Sequence, residues 1–448
     1  MDIQTQRILF GAAGGGEDIT YWWATLTGGY PEGISTAAED KDGNTFFTLE
    51  GAGTFINSSG TGCGVVVKID KDGNPVYDKL LLESSYNTMG RPRGAVPLND
   101  PNDNIFMGLR RGVPAALAYR LGNNQYMGGY EMGSAGGVME PFFTWGIGGK
   151  GFVTGRLQAG GTNYRNVYAK YNTSTLTYES LWGISGLNSS LSIPTNDDKL
   201  VLYGELSSYV SYHALVDPIT DTFIRGGRVD CGQGLPDEGG AGVDDAGNAY
   251  IMVNGPYSNT GYYASVLYKI SPSNTQVWSK QIVSTAFTMS YPRMAVDKYG
   301  TCHIFCGTGN ANYAGFYYTK IDTNGTVRQR LKITQGAVAT GSFPGRPIVI
   351  NDNLYMSWGG LTAPGLMLKL PVNKDVTGSW GGLSFSNSSL IDVYDNVPSI
   401  WNPAQVPSWI STNFSLVDVS YYFSGSYFIP APNLSDSPLT VTPNIIDL

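Results

Sequence analysis

Short apolar runs, each closed by a polar turn containing Gly or Asn, recur along the chain. The clearest is Val65–Ile69, which ends at Asp70-Lys71-Asp72-Gly73-Asn74 before a second mixed run starts at Pro75. Alternation of this length around a Gly-containing turn predicts a β-hairpin. No stretch of 15 residues carries a helical period. The chain therefore reads as strands and turns.

The hairpin has weaker copies. A basic residue stands near the end of the third strand of each, at Lys68, Arg120, Lys170, Lys269, Lys320 and Lys369, with Leu215 in the fourth copy, at separations of 45 to 54 residues. A turn before an aromatic or aliphatic run gives the same seven copies: 43–46, 103–106, 149–152, 198–201, 247–250, 300–303 and 353–356. Gly51, Gly108, Gly155, Gly204, Gly255, Gly307 and Gly359 supply a third mark, expected just past the second strand. The first copy parses as strands near 33–39, 45–50, 64–70 and 75–82. Four short antiparallel strands repeated seven times without helices predict an all-β, seven-bladed β-propeller of four-stranded antiparallel blades.

The two ends break the repeat. Residues 1–17 read as a Gly-rich N-terminal arm, 18–385 as the propeller and 386–448 as an extended C-terminal tail. Tyr21, Trp22 and Trp23 lie in a strand-like run expected to close the ring, at the outer edge of the last blade or against residues 378–385. The tail is Pro- and Ser-rich and carries three segments of similar shape, at 389–392, 415–418 and 434–436. It is too polar to form a core of its own. Its aromatics Trp401, Trp409, Tyr421, Tyr422 and Phe423, with Leu9 and Phe10 of the arm, are the expected assembly contacts, because exposed aromatics in extended chain need a surface to pack on.

Composition narrows the functions. Charged residues are 14% and the net charge is -8, which argues against a nucleic-acid surface, since that affinity rests on clustered Lys and Arg. Four cysteines are too few for a disulfide framework; Cys302 and Cys306 share one face of a strand about 13 Å apart, too far to bridge, and His303 points to the other face. No metal site is expected. The start of the chain has no basic segment followed by an apolar one, and no run is long enough for a membrane span, so synthesis in a cytoplasm without a signal peptide is expected.

Catalytic material is sparse. His213 and His303 stand far apart in the repeat order, and neither is expected to act as a general base. The acidic turns 40–44 and 70–74 superficially resemble calcium loops, but Gly comes fourth and no Glu closes the pattern, so they read as hairpin turns. Arg91, Arg156 and Arg293 could be arranged as a sialidase-type triad only if they met in one channel. Tyr262, Tyr263, Tyr317 and Tyr318 could form a glycan-stacking platform if exposed. No catalytic residue and no cofactor are expected.

The runs Glu39-Asp40-Lys41-Asp42-Gly43-Asn44-Thr45-Phe46 and Val67-Lys68-Ile69-Asp70-Lys71-Asp72-Gly73-Asn74 resemble the bacterial SBBP-type propeller repeat; 243–248 and 320–325 fit it well and the remaining copies less closely. The whole chain is also similar to tail-associated propeller proteins of marine tailed bacteriophages, through its Leu9–Gly16 opening and its S-L-x-D-type tail. That resemblance implies a non-enzymatic virion structural protein of the tail tip, nozzle or fibre, partnered by other virion proteins in a symmetric multi-copy assembly and in contact with a host-surface glycan. A carbohydrate-active propeller of sialidase or lyase type and a cellular scaffold propeller are the alternatives.

Overall fold

The computed structural model describes residues 21–27, 31–51, 64–82, 91–97, 104–110, 115–120, 125–131, 133–134, 137–159, 163–175, 177–184, 188–195, 197–207, 210–230, 237–255, 264–284, 286–308, 311–335, 343–360, 363–395, 408–412, 414–418, 420, 433–436 and 440–446. Leu9, Phe10, Trp401, Tyr421, Tyr422, Phe423, Tyr262 and Tyr263 lie outside them.

Strands form seven antiparallel sheets, each a meander of strands a to d from the axis outward. Sheet I is Pro31–Glu39, Thr45–Gly51, Gly64–Ile69 and Pro75–Leu82; sheet II is Arg91–Pro97, Asn104–Arg110, Ala115–Arg120 and Gln125–Glu131. Sheet III is Gly137–Ile147, Lys150–Ala159, Asn163–Asn172 and Thr177–Ile184; sheet IV is Asn188–Pro194, Leu200–Ser207, Val210–Asp217 and Thr222–Asp230. Sheet V is Asp237–Val243, Ala249–Gly255, Ala264–Ile270 and Gln276–Val283; sheet VI is Met289–Val296, Cys302–Thr308, Phe316–Ile321 and Val327–Gln335. Sheet VII takes strand a from Phe343–Pro344 and Ile348–Ile350, then Asn353–Gly360 and Ala363–Pro371. Its strand d is Tyr21–Thr27, paired Trp22 to Lys369 through Leu26 to Gly365. Each strand a touches the next, and strand a of sheet VII returns to that of sheet I, so the sheets form a propeller ring.

The repeat marks acquire physical causes here. Asp40 accepts the backbone N–H groups of Asp42 and Asn44 on its own carboxylate, both at 2.9 Å. Asp70, Asp297 and Asp322 hold their turns in the same way, and Gly43, Gly73, Gly300 and Gly325 take the positive φ that follows. In each, Oδ1 is engaged by the turn, while Oδ2 of Asp40 lies 3.7 Å from Lys68 Nζ and Oδ2 of Asp322 lies 2.6 Å from Arg328 Nη2. In sheets III, V and VI the basic residue of strand c is a latch to the next sheet, whereas Lys68 of sheet I lies 3.7 Å from Asp40 of its own. Lys170 Nζ donates to Ile219 O (3.1 Å) and Asp221 (2.7 Å), Lys269 Nζ to Thr323 O (2.9 Å), and Lys320 Nζ to Lys374 O (3.3 Å). Where Leu215 interrupts the series, Arg225 of the same sheet donates instead to Ser271 O and Gly247 O. Replacing Lys170 with Met keeps the apolar stem but strands Asp221 and the Ile219 carbonyl, and should lower stability by about 2–3 kcal/mol in urea titration.

Two sequence expectations need correction. The marker glycines do not follow strand b: they sit within it or at its last residues, because an extended glycine continues the ladder. Tyr21–Thr27 closes the ring at the last sheet, but it does not pair with 378–385, which joins strand d of sheet VI through Leu383–Asn387.

The C-terminal segment forms no sheet of its own among the described residues. It encircles the ring instead. Leu383–Asn387 adds to strand d of sheet VI, Asp392–Asp395 to sheet V, Ser408–Ser411 to sheet IV, Leu416–Asp418 to sheet III and Asn433–Asp436 to sheet I. Thr440–Ile446 then pairs along all of Tyr21–Thr27. The chain thus goes round once through strands a to d and returns in the opposite sense as an outer belt. Six of the seven sheets carry this extra outer strand; sheet II has four strands. The similar segments at 389–392, 415–418 and 434–436 overlap the belt strands, or abut them, in sheets V, III and I.

Candidate functional site

The inner strands crowd round the axis, which selects small residues. A Cβ on Gly242 of sheet V would stand 2.6 Å from Val296 Cβ of sheet VI, and one on Gly240, at φ +138°, 2.5 Å from Met294 O. Ala37, Ala38, Ala241 and Ala295 line the same axis. Two cavities lie along it, of about 330 Å³ and about 50 Å³. Trp145, Pro194, Ile348 and Val349 line both and form the constriction between them.

The larger cavity opens on the face that carries the a–b and c–d turns, and turn length explains its position. Sheets I, V and VI use five-residue Asp turns, whereas sheet III turns through Gly148-Gly149 (φ 55° and 76°) and sheet VII through Asn351-Asp352 (φ 48° and 63°). Two-residue turns of this hand reverse the chain with the least bulk. The residues beside them, Gly148–Lys150 and Ile348–Ile350, are the walls of the cavity.

Trp145 is the floor. It is 6% exposed, and its Nε1–H donates to Ser192 O of sheet IV at 3.0 Å, while Thr144 Oγ1 accepts the Gly108 N–H of sheet II at 2.8 Å. One strand is thereby fixed to both neighbours. Glu39 on the wall accepts the Tyr355 hydroxyl (3.0 Å) and Asn351 Nδ2 (2.8 Å), with Lys369 Nζ at 4.0 Å. Burial raises the Glu39 pKa and lowers that of Lys369, and their mutual attraction opposes both shifts. Lys150 pairs with Glu179. The charged groups of the cavity wall are thus engaged with other protein groups, as are the hydroxyls of Thr144 and Thr173, and the rest of the lining is aliphatic, aromatic or backbone.

Both histidines are buried. His303 is fully buried, with Nε2 3.3 Å from Asp297 Oδ2 and Nδ1 2.8 Å from the Tyr318 hydroxyl; since a carboxylate can only accept, Nε2 donates and Nδ1 accepts from Tyr318. This chain braces the a–b turn of sheet VI. His213 packs its ring 4.6 Å from Tyr203 and 6.1 Å from Trp409, and neither ring nitrogen has a hydrogen-bond partner among the described residues. Burial pushes its pKa down to about 3. Cys302 and Cys306 are free and buried, the latter with its thiol pushed up to about 12 by burial.

The expected site residues fall as follows. Trp22 and Trp23 are buried in the closure strand; Trp22 meets Phe47 edge to face at 5.9 Å, and Trp23 Nε1–H donates to Trp380 O at 2.9 Å. Tyr21 is half-buried beside them. Trp409 lies on the belt strand of sheet IV, so close over Gly227 that a Cβ there would meet its ring at 2.3 Å. Tyr317 and Tyr318 are not exposed, which corrects the stacking-platform expectation for that pair: Tyr317 packs on Phe287 at 4.5 Å and Tyr318 is held by His303. Adjacent strand residues face opposite sides, and here both sides are interior. Arg91, Arg156 and Arg293 stand on sheets II, III and VI. Among the described residues no group of three His, Cys, Asp or Glu is placed to hold a metal ion, and no helix is long and apolar enough to cross a membrane.

Trp145 and Ile348–Ile350 escaped notice in the sequence. Their signal was the two shortened a–b turns, visible only once the copies are aligned on the ring.

No protein-family model and no curated protein matches the chain. Among solved structures, a polysaccharide lyase described as an ulvan lyase of a new family is 11% identical, with a TM-score of 0.48 over 78% of this chain and 95% of that one. The polysaccharide lyase Uly1 is 9% identical, with a TM-score of 0.44 over 77% and 90%, and the Dos1 propeller 9% identical, with a TM-score of 0.46 over 80% and 96%. At such identities the likeness is one of fold.

Proposed function

We propose that the chain is a non-enzymatic structural component of a phage tail, a rigid disc that joins neighbouring virion proteins in a symmetric multi-copy assembly. The observation that carries this reading is the belt. It caps the outer edge of six of the seven sheets and clamps the first strand between Ala363–Pro371 and Thr440–Ile446. The rim it leaves consists of short edge strands of three to seven residues, which blunt sideways pairing, so the neighbours would be met through the two faces, as coaxial stacking in a tail requires. The resemblance of the Leu9–Gly16 opening and of the tail segments to tail-associated propellers supports the same role. Such a protein reaches the cell exterior inside a particle released by lysis, and a host-surface glycan would then meet its free face.

The carbohydrate-active alternative requires several carboxylates and arginines converging on the channel, and the described lining holds one carboxylate, Glu39, and one arginine, Arg346, in different cavities among mainly aliphatic, aromatic and backbone groups. Mass spectrometry of purified virions from the source culture is expected to find the chain at fixed stoichiometry. Deleting residues 1–17 should leave a folded ring that no longer enters particles. Absence from virions, or normal incorporation of the deletion, would remove the corresponding part of the reading.

A further inference from the structure

We propose that the face carrying the a–b and c–d turns is a self-complementary surface, through which two copies of the chain pair as a face-to-face two-fold dimer with Glu179 of each against Arg328 of the other. This is a property of the isolated chain, so it stands or falls apart from the virion role.

The surface comes from one recurring irregularity. In sheets I to VI the pairing of strand c with strand d slips by one residue just past the c–d turn, and the bulged residues are Val76, Met127, Glu179, Ile224, Val277 and Arg328. A bulge re-aims the side chain it leaves out of the ladder. All six are exposed, and four are apolar. The belt leaves them uncovered, since its strands begin to pair three residues further along strand d, at Lys79, Trp182, Gly227, Lys280 and Leu331. Among the described residues eight large hydrophobic side chains are exposed. Six of them stand at this face: the four bulged ones, Ile219 of a c–d turn and Tyr299 of an a–b turn. Exposed apolar groups scattered singly are ordinary, but recurrence at one position in four sheets of one ring builds a surface.

Charge selects a second copy as the occupant. From sheet I to sheet VI the bulged positions read apolar, apolar, acidic, apolar, apolar and basic. A two-fold axis lying between two stacked discs reverses the order of the sheets, so an axis passing between sheets IV and V sets III against VI and IV against V. Glu179 then meets Arg328 twice, and Ile224 meets Val277 twice. With seven sheets in the ring the same axis passes through sheet I, and Val76 meets its own copy. Of the axes that keep the sheets in register, only this one sets the two charged positions against opposite sign. Each charge also has a partner in its own chain, Lys150 for Glu179 and Asp322 for Arg328. Across the interface the four groups alternate in sign, as lysine, glutamate, arginine and aspartate, an arrangement that fixes register as well as partner.

The test is sedimentation of the full chain, which should show a monomer–dimer equilibrium at concentrations up to about 100 μM. Glu179→Arg and Arg328→Glu, made singly, each bring like charges together twice and should weaken the dimer by about tenfold or more. Mixed in equal amounts, the two variants should pair as wild type does. Glu179→Arg of one copy then faces Arg328→Glu of the other, while the unaltered Arg328 and Glu179 face each other. A face that is merely adhesive would show no such recovery. Val277→Asp, at an exposed position, should weaken the dimer and leave the urea midpoint in place. Sedimentation as a monomer throughout the range overturns the proposal. So does a dimer that is indifferent to the charge changes, or one that mixing fails to restore.

Discussion

Ending the chain at Asn387 should cost on the order of 5 kcal/mol and make the ring prone to aggregate. The belt buries Ile391 and Ile446 almost completely and Trp409, Phe414 and Leu416 in part. At about 1.5–3 kcal/mol for a fully buried side chain of this size, these contacts alone reach that order. The truncation also frees strand edges in five sheets and leaves Tyr21–Thr27 with one neighbour in place of two. Unpaired edges are templates for another chain. The urea midpoint and light scattering of the truncated protein measure both effects. A monomer with an unchanged midpoint would show that the belt decorates the ring without holding it.

Acid should destabilise the protein through His213, and His213→Phe should remove that part of the loss. Unfolded, the imidazole has an ordinary pKa of about 6.5. Folded, burial without a partner pushes it down to about 3. Between the two values the unfolded chain binds a proton that the folded chain refuses, so stability is full above about pH 6.5 and falls as the pH drops. The slope is about 1.4 kcal/mol per pH unit, giving about 3 kcal/mol at pH 4.5. His303 adds to the fall in the same direction, since burial lowers its pKa against the opposing pull of Asp297. The diagnostic quantity is the difference between wild type and His213→Phe in urea titrations from pH 7.5 to 4.5. A difference that does not change with pH would contradict the assignment.

The ring was legible in the sequence because its marks have local causes. Asp-x-x-Gly turns are fixed by a carboxylate and backbone N–H groups a few residues away, and Lys170, Lys269 and Lys320 repeat because each must reach the same turn one sheet on. Closure by Tyr21–Thr27 followed from its strand-like composition and its place before the first strand a. The belt was legible only as a set of similar short segments. Three to seven residues added to an edge need no apolar period, so nothing in 386–446 announces which sheet each piece meets. The cavity was least visible, because it arises from what two turns lack. Burial of Tyr317 and Tyr318 was hidden for a related reason: a strand between two sheets shows no polar face, and alternation cannot report one.

The direction of the belt also sets a timetable for synthesis. Tyr21–Thr27 is made before every strand of sheets I to VI, yet its partners, Ala363–Pro371 and Thr440–Ile446, are made after them. While sheets I to VI are being made, the strand with the two buried tryptophans has nowhere native to go. Contacts of such sequence separation slow folding, since the loop entropy must be met before the pairing repays it. The nascent disc is therefore an open arc, and it becomes a circle only once Ala363–Pro371 has emerged.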